Sequence, residues 1–143
     1  MHVEQLLNDK GREVVTVQPH RTLAEAIKTL SEKRIGAVVV MGADGALVGI
    51  LSERDIIRAL GAKGGAALDN AVSSVMTAKV VTCRPQTSVD ELMEIMTMGR
   101  FRHVPVVENG RVTGIVSIGD VVKHRVAAIE AESQAMRQYI AMA

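Results

Sequence analysis

Gly49-Ile50-Leu51-Ser52-Glu53-Arg54-Asp55 returns as Gly114-Ile115-Val116-Ser117-Ile118-Gly119-Asp120, and this repetition decides the fold. Gly, Ile, Ser and Asp recur at a shift of 65 residues. Upstream, Val15-Thr16-Val17-Gln18-Pro19 matches Val81-Thr82-Cys83-Arg84-Pro85, and Glu25 and Arg34 match Glu91 and Arg100, at a shift of 66. The change of one residue falls at the turns around Gly45 and Gly110. Residues 14–58 and 80–123 are therefore two copies of one supersecondary unit. A unit of roughly 45 residues buries too little surface to stand alone, so the two copies should pack as one pseudo-twofold α+β module. A ligand of such a module belongs in a cleft on its dyad.

Each copy reads β-α-β-β-α. Val14–Val17 and Val80–Cys83 are short β-branched runs closed by a nearby proline. Thr22-Leu23-Ala24-Glu25 and Ser88-Val89-Asp90-Glu91 spell capping boxes. The helices they open carry Leu23, Ala26, Ile27 and Leu30, and Val89, Leu92, Met93 and Met96, at helical spacing. Ala37–Met41 and His103–Val107 are the next strands. Turns at Ala43-Asp44-Gly45 and Glu108-Asn109-Gly110 lead into Leu47–Ser52 and Val112–Ser117. A helix follows near Asp55 and near Asp120. Gly61-Ala62-Lys63-Gly64-Gly65-Ala66 reads as a flexible connection between the copies. Beyond the second copy, Val122, Val126, Ile129, Ser133, Met136 and Ile140 form a stripe of 3.5-residue period. That stripe suits a dimer seam, and it equally suits a helix packed on its own domain.

Composition narrows the function. A net charge of +1 gives no reason to expect nucleic acid or an anionic membrane as partner. Phe101 and Tyr139 are the only aromatic residues, which excludes base-stacking platforms and leaves an aliphatic core. No apolar run approaches a membrane span, and Met1-His2-Val3-Glu4-Gln5 lacks a signal-peptide start, so a cytoplasmic location is expected. Cys83, the single cysteine, aligns with Val17 and reads as a buried small hydrophobe. His2, His20, His103 and His124 show no metal-ligand spacing. No phosphate-binding loop, nucleophile elbow or dinucleotide fingerprint occurs, and no catalytic or metal-ligating residue is assigned.

The chemistry of the repeated motif points toward an adenosine nucleotide. A carboxylate at a helix start accepts both hydroxyls of a ribose diol, and a serine with free helix N–H groups suits a phosphate. The glycine permits close approach of the backbone. Arg102 and His103 add positive charge. A plainer reading stands beside this one. Ser52-x-x-Asp55 and Ser117-x-x-Asp120 are also good N-caps with an acid in the first turn, and spacing alone does not separate cap from site.

The two Gly-hydrophobic-hydrophobic-Ser-x-x-Asp motifs, with Arg102-His103-Val104-Pro105-Val106-Val107 before the second, resemble the CBS domain family. Val72-Ser73-Ser74-Val75-Met76-Thr77 resembles the start of a second repeat. The chain is similar to a stand-alone CBS pair, or Bateman module, of bacterial type. The resemblance implies a lead-in at 1–13, CBS repeats at 14–60 and 74–125, a linker at 61–73 and a C-terminal helix at 126–143. It also implies that each site draws on both repeats. One site would unite Asp120, Ser117, Arg102 and His103 with Val15, Ile35 and Gly36; the other would unite Asp55, Ser52 and Arg54 with Val81 and Phe101. Because Gly36-Ala37 stand where the second copy has Arg102-His103, the Asp120 site is expected to bind AMP first.

The function implied is a non-catalytic regulatory module that senses AMP, ADP, ATP or NAD(H), forms a homodimer and acts on a protein partner. The alternative is a ligand-free dimerisation or scaffolding module. Which nucleotide and which partner are left open by the sequence.

Overall fold

Thr22 and Ser88 cap equivalent helices in the computed structural model, which describes residues 1–142. Their hydroxyls accept the N–H groups of Glu25 at 3.2 Å and Glu91 at 3.0 Å. The helices are α2, Leu23–Lys33, and α5, Val89–Gly99. Each shows the hydroxyl cap without the reciprocal glutamate bond that a full box requires. Both end on an arginine, Arg34 at φ 54° and Arg100 at φ 57°, in the left-handed C-cap conformation more usual for glycine. Gly99, the last helical residue of α5, leaves room for the Phe101 ring, which a Cβ there would strike.

The strand pairs follow the expected hairpins. β2 (Ala37–Met41) pairs antiparallel with β3 (Leu47–Ser52), and β4 (His103–Glu108) with β5 (Arg111–Ser117). Register slips at equivalent places, between Val40 and Met41 and between Val106 and Val107. In the first copy β1, Thr16–Val17, lies parallel to β2. In the second, the run expected at Val80–Cys83 contributes one bridge, Cys83 to Val106. Proline explains the difference. Val39 N–H donates to Val15 O at 3.1 Å, whereas its counterpart Pro105 has no N–H to offer Val81.

Two hydrophobic clusters form the core, and each crosses the repeat boundary. α1 (Val3–Lys10) sends Val3, Leu6 and Leu7 into the cluster of Cys83, Leu92, Met96, Val104 and Val116. α4 (Val72–Val75) sends Val72 into the cluster of Leu23, Leu30, Val38, Leu51 and Ile56. The lead-in is thus a helix built into the second half. The expected flexible connection is ordered too: α3 (Glu53–Lys63) runs into a 3-10 segment, Gly64–Asp69, anchored by buried Ala67.

The motif glycines serve this crossing. A Cβ on Gly114 would lie 2.7 Å from Leu7 Cδ2, and one on Gly49 would strike Met76 Sδ. The close approach that these glycines permit is made by the chain's own leading segments. Burial pushes the Cys83 thiol up to about 11, in keeping with a core residue.

α6 (Ile118–Met142) buries only Val121, and its stripe of Val122, Val126, Ile129, Met136 and Ile140 faces solvent. Ala143, the last residue of the expected C-terminal helix, lies outside the described residues.

Candidate functional site

Both motif aspartates fold back as helix caps. Ser52 N–H donates to Asp55 Oδ2 at 2.9 Å and its hydroxyl to the same atom at 3.1 Å. Ser117 makes the same bonds to Asp120 Oδ2, at 2.8 and 3.0 Å. The capping reading is realised in both copies. It does not exhaust the carboxylates, since an ionised carboxyl has about four acceptor positions.

The surroundings of the two differ. Asp55 is 7% exposed and takes the Thr77 hydroxyl on Oδ1 at 3.0 Å. Asp120 takes the Lys10 ammonium on Oδ2 at 2.6 Å. Burial alone would raise the Asp120 carboxyl, but the bonds from Lys10 and Ser117 outweigh it and hold the group below its ordinary range.

A cavity of about 440 Å³ opens over Asp55, within the size range of small-ligand sites. Ser52, Arg54 and Asp55 come from the β3–α3 junction, Val81 from the segment after α4, and Gly99 to His103 from the α5–β4 junction. All five residues expected at the first site, Asp55, Ser52, Arg54, Val81 and Phe101, line it. So do Gly36, Arg102 and His103, which the sequence assigned to the other cleft. Arg102 and His103, the charges on which the expected preference for Asp120 rests, thus line the Asp55 cavity as well. Arg54, Arg58, Lys79, Arg100 and Arg102 stand around the Asp55 cavity, against the acids Asp55 and Glu53.

His103 lines this cavity beside Gly36 and Glu53. A Cβ on Gly36 would sit 3.1 Å from His103 Cε1 and 2.8 Å from Glu53 Oε1, so only glycine leaves room for both side chains. Burial lowers the affinity of His103 for a proton, with the charge of Lys10 acting the same way and Glu53 and Asp120 opposing. Arg54 is steered by a bond from Nη1 to Arg100 O at 3.1 Å.

The remaining expected residues do not meet in this cavity. Ser117 and Asp120 stay with Lys10, while Val15 and Ile35 pack against the core of the first half. Ile35 also lines a more open apolar groove with Ile27, Ile56 and Ile57. Thr77, Lys79 and Arg58 also line the cavity, and no motif in the sequence marks them for it. Val72–Thr77 is legible as the start of a second repeat, but nothing in its spacing shows that this leading segment crosses to Asp55. Among the described residues no cluster of His, Cys, Asp and Glu has the arrangement of a metal site. No helix among them is long and apolar enough to cross a membrane.

Comparison with known proteins gives the same architecture. A family model described as "CBS domain" matches residues 5–62 and 72–127. The crystal structure of the CBS-domain-containing protein ATU1752 from Agrobacterium tumefaciens superposes with a TM-score of 0.85 at 56% identity, covering 87% of this chain and 92% of that one. The CBS domain pair of MJ0100, crystallised with 5′-methylthioadenosine and S-adenosyl-L-methionine, gives 0.80 at 26% identity, covering 90% and 98%. The mitochondrial CBS domain-containing protein CBSX3 of Arabidopsis thaliana is 37% identical over 123 residues, 83% of this chain. The chain spans 60% of the length of that plant relative.

Proposed function

This chain belongs to the CBS domain family, and from that premise we propose that it is a regulatory module binding an adenosine nucleotide in the Asp55 cavity. One observation carries the reading: the cavity joins a buried helix-start carboxylate to apolar walls and a crown of cations. Those features match the three parts of a nucleotide. The ribose diol would donate to Asp55, which has acceptor capacity on Oδ1 beyond the Thr77 hydroxyl. The base would lie against Val81 and Phe101, and the phosphates would face Arg54, Arg58 and Arg102. The adenosine compounds crystallised with the MJ0100 pair support this class of ligand. AMP, ATP and NAD(H) all present the same diol and base.

The sequence-based order of occupancy is revised in this proposal: the Asp55 cavity fills first. The module works in the cytoplasm as a homodimer without a catalytic step of its own, and passes its state to a protein partner. A ligand shifts that state only by binding its two forms with different affinity. The exposed apolar faces of α3, α5 and α6 supply the surface for self-association, with Ile57, Met98 and Val122 all exposed.

Calorimetry with AMP tests the site. Asp55→Ala should weaken AMP by about 1.5–3 kcal/mol, a ten- to hundredfold loss, the scale of hydrogen bonds to a charged group. Replacing AMP by 2′-deoxy-AMP should cost the wild type more than it costs the variant. If Asp55 is only a cap, the variant melts earlier by the loss of about 1 kcal/mol while AMP affinity is unchanged.

A further inference from the structure

The leading segments join the two halves at different spacings. Val3 N–H donates to Thr87 O as Val72 N–H donates to Arg21 O, and Glu4 N–H to Pro85 O as Ser73 N–H to Pro19 O. These residues correspond at a shift of 69, while Val15 and Val81 correspond at 66. Leu7 on Gly114 and Met76 on Gly49 keep the longer shift. Three residues are therefore extra between Leu7 and the first repeat, and α1 absorbs them as most of a further turn ending at Lys10.

This turn changes what reaches each aspartate. After α4 the chain extends at once, and Thr77 pairs with Ile50 through backbone bonds of 3.0 and 2.9 Å. That pairing sets the neutral Thr77 hydroxyl 3.0 Å from Asp55 Oδ1. In the other half the longer helix carries an ammonium instead, with Lys10 Nζ 2.6 Å from Asp120 Oδ2. Oδ2 of Asp120 then receives three donors, from Lys10 and from the N–H and hydroxyl of Ser117. A ribose diol drawn to Asp120 meets a carboxylate already paired with an ammonium, whereas Asp55 is met only by neutral donors, from Ser52 and Thr77.

We propose that Lys10 is a latch on the Asp120 carboxylate, so that only the Asp55 cavity takes a nucleotide while the second, homologous cleft opens when the ammonium is withdrawn. The proposal rests on the reading of the Asp55 cavity as a nucleotide site. Lys10 decides how many ligands the chain holds, by a residue that lies outside both copies of the repeated motif.

Equilibrium dialysis of the whole chain against radiolabelled AMP, up to millimolar concentration, reads this as a stoichiometry. Wild type should bind one AMP per chain and lose it in Asp55→Ala. Lys10→Met and Lys10→Gln should each bind two, and adding Asp120→Ala should return the count to one. Two variants are compared, with their circular dichroism, so that a folding defect in one is not taken for a closed cleft. A wild type that binds two, or one that depends on Asp120, would overturn the latch. A folded Lys10 variant that still binds one AMP through Asp55 would overturn it and leave the nucleotide reading standing. No AMP on wild type or on the Lys10 variants would remove both.

Discussion

Asp55 and Asp120 are the same residue in the repeated motif, yet their neighbours give them different work. One is buried under a hydroxyl and opens on a cavity; the other is partly exposed and tied to an ammonium. His103, between Gly36 and Glu53, marks how closely the two halves meet. Its proton affinity is lowered from the ordinary value near 6.5, chiefly by burial. In the unfolded chain it takes a proton as the pH falls through that value, while in the fold it resists. Stability therefore drops as pH is lowered through about 6.5, and the loss is complete below the folded value. Thermal melts from pH 8 to pH 5 should show this slope, and His103→Asn should flatten it. An unchanged slope in a folded variant would place the titration elsewhere.

At the scale of elements, the hairpins and the two capped helices were readable because local chemistry dictates them. Thr22 and Ser88 cap, and Gly45 and Gly110 turn at φ 79° and 77°. The α1 helix is not legible in the sequence, because its extra residues hide its kinship to α4 and its apolar face meets a strand of the other copy. At Val80–Cys83 the apolar run suggests a strand, but the bond lost at Pro105 depends on which strand lies beside it. The sharing of Arg102 and His103 with Asp55 follows from how the halves pack, which the motifs alone do not encode. The crossing of leading helices makes its own prediction. Leu7 is 1% exposed and has no room to retreat from a Cβ on Gly114. Gly114→Ala should cost roughly 1–3 kcal/mol, as overpacked cores do. Denaturant unfolding at unchanged midpoint would contradict that packing.

The whole molecule leaves a large apolar surface uncovered. Along α6, Val126 is 48% exposed, Ile129 59% and Ile140 66%, while Val121 and Arg125 tie the start of the helix to α5, Arg125 through Asp90 at 3.4 Å. The 3.5-residue stripe is thus not consumed by its own domain, and the proposed homodimer would cover it. Light scattering at tens of micromolar should give twice the chain mass of 15.3 kDa, and a chain cut after Arg125 should dissociate more readily. A dimer unaffected by the cut would move the seam to α3 and α5. In the proposed dimer, assembly and sensing would meet in the cavity over Asp55, whose wall includes the exposed Ile57 of α3. The most direct measurement is a crystal structure of the chain grown with AMP. It should show AMP over Asp55, with both ribose hydroxyls on the carboxylate, the base against Val81 and Phe101, and the phosphate among Arg54, Arg58 and Arg102. AMP bound away from this cavity, or an empty cavity at saturating AMP, would contradict the account.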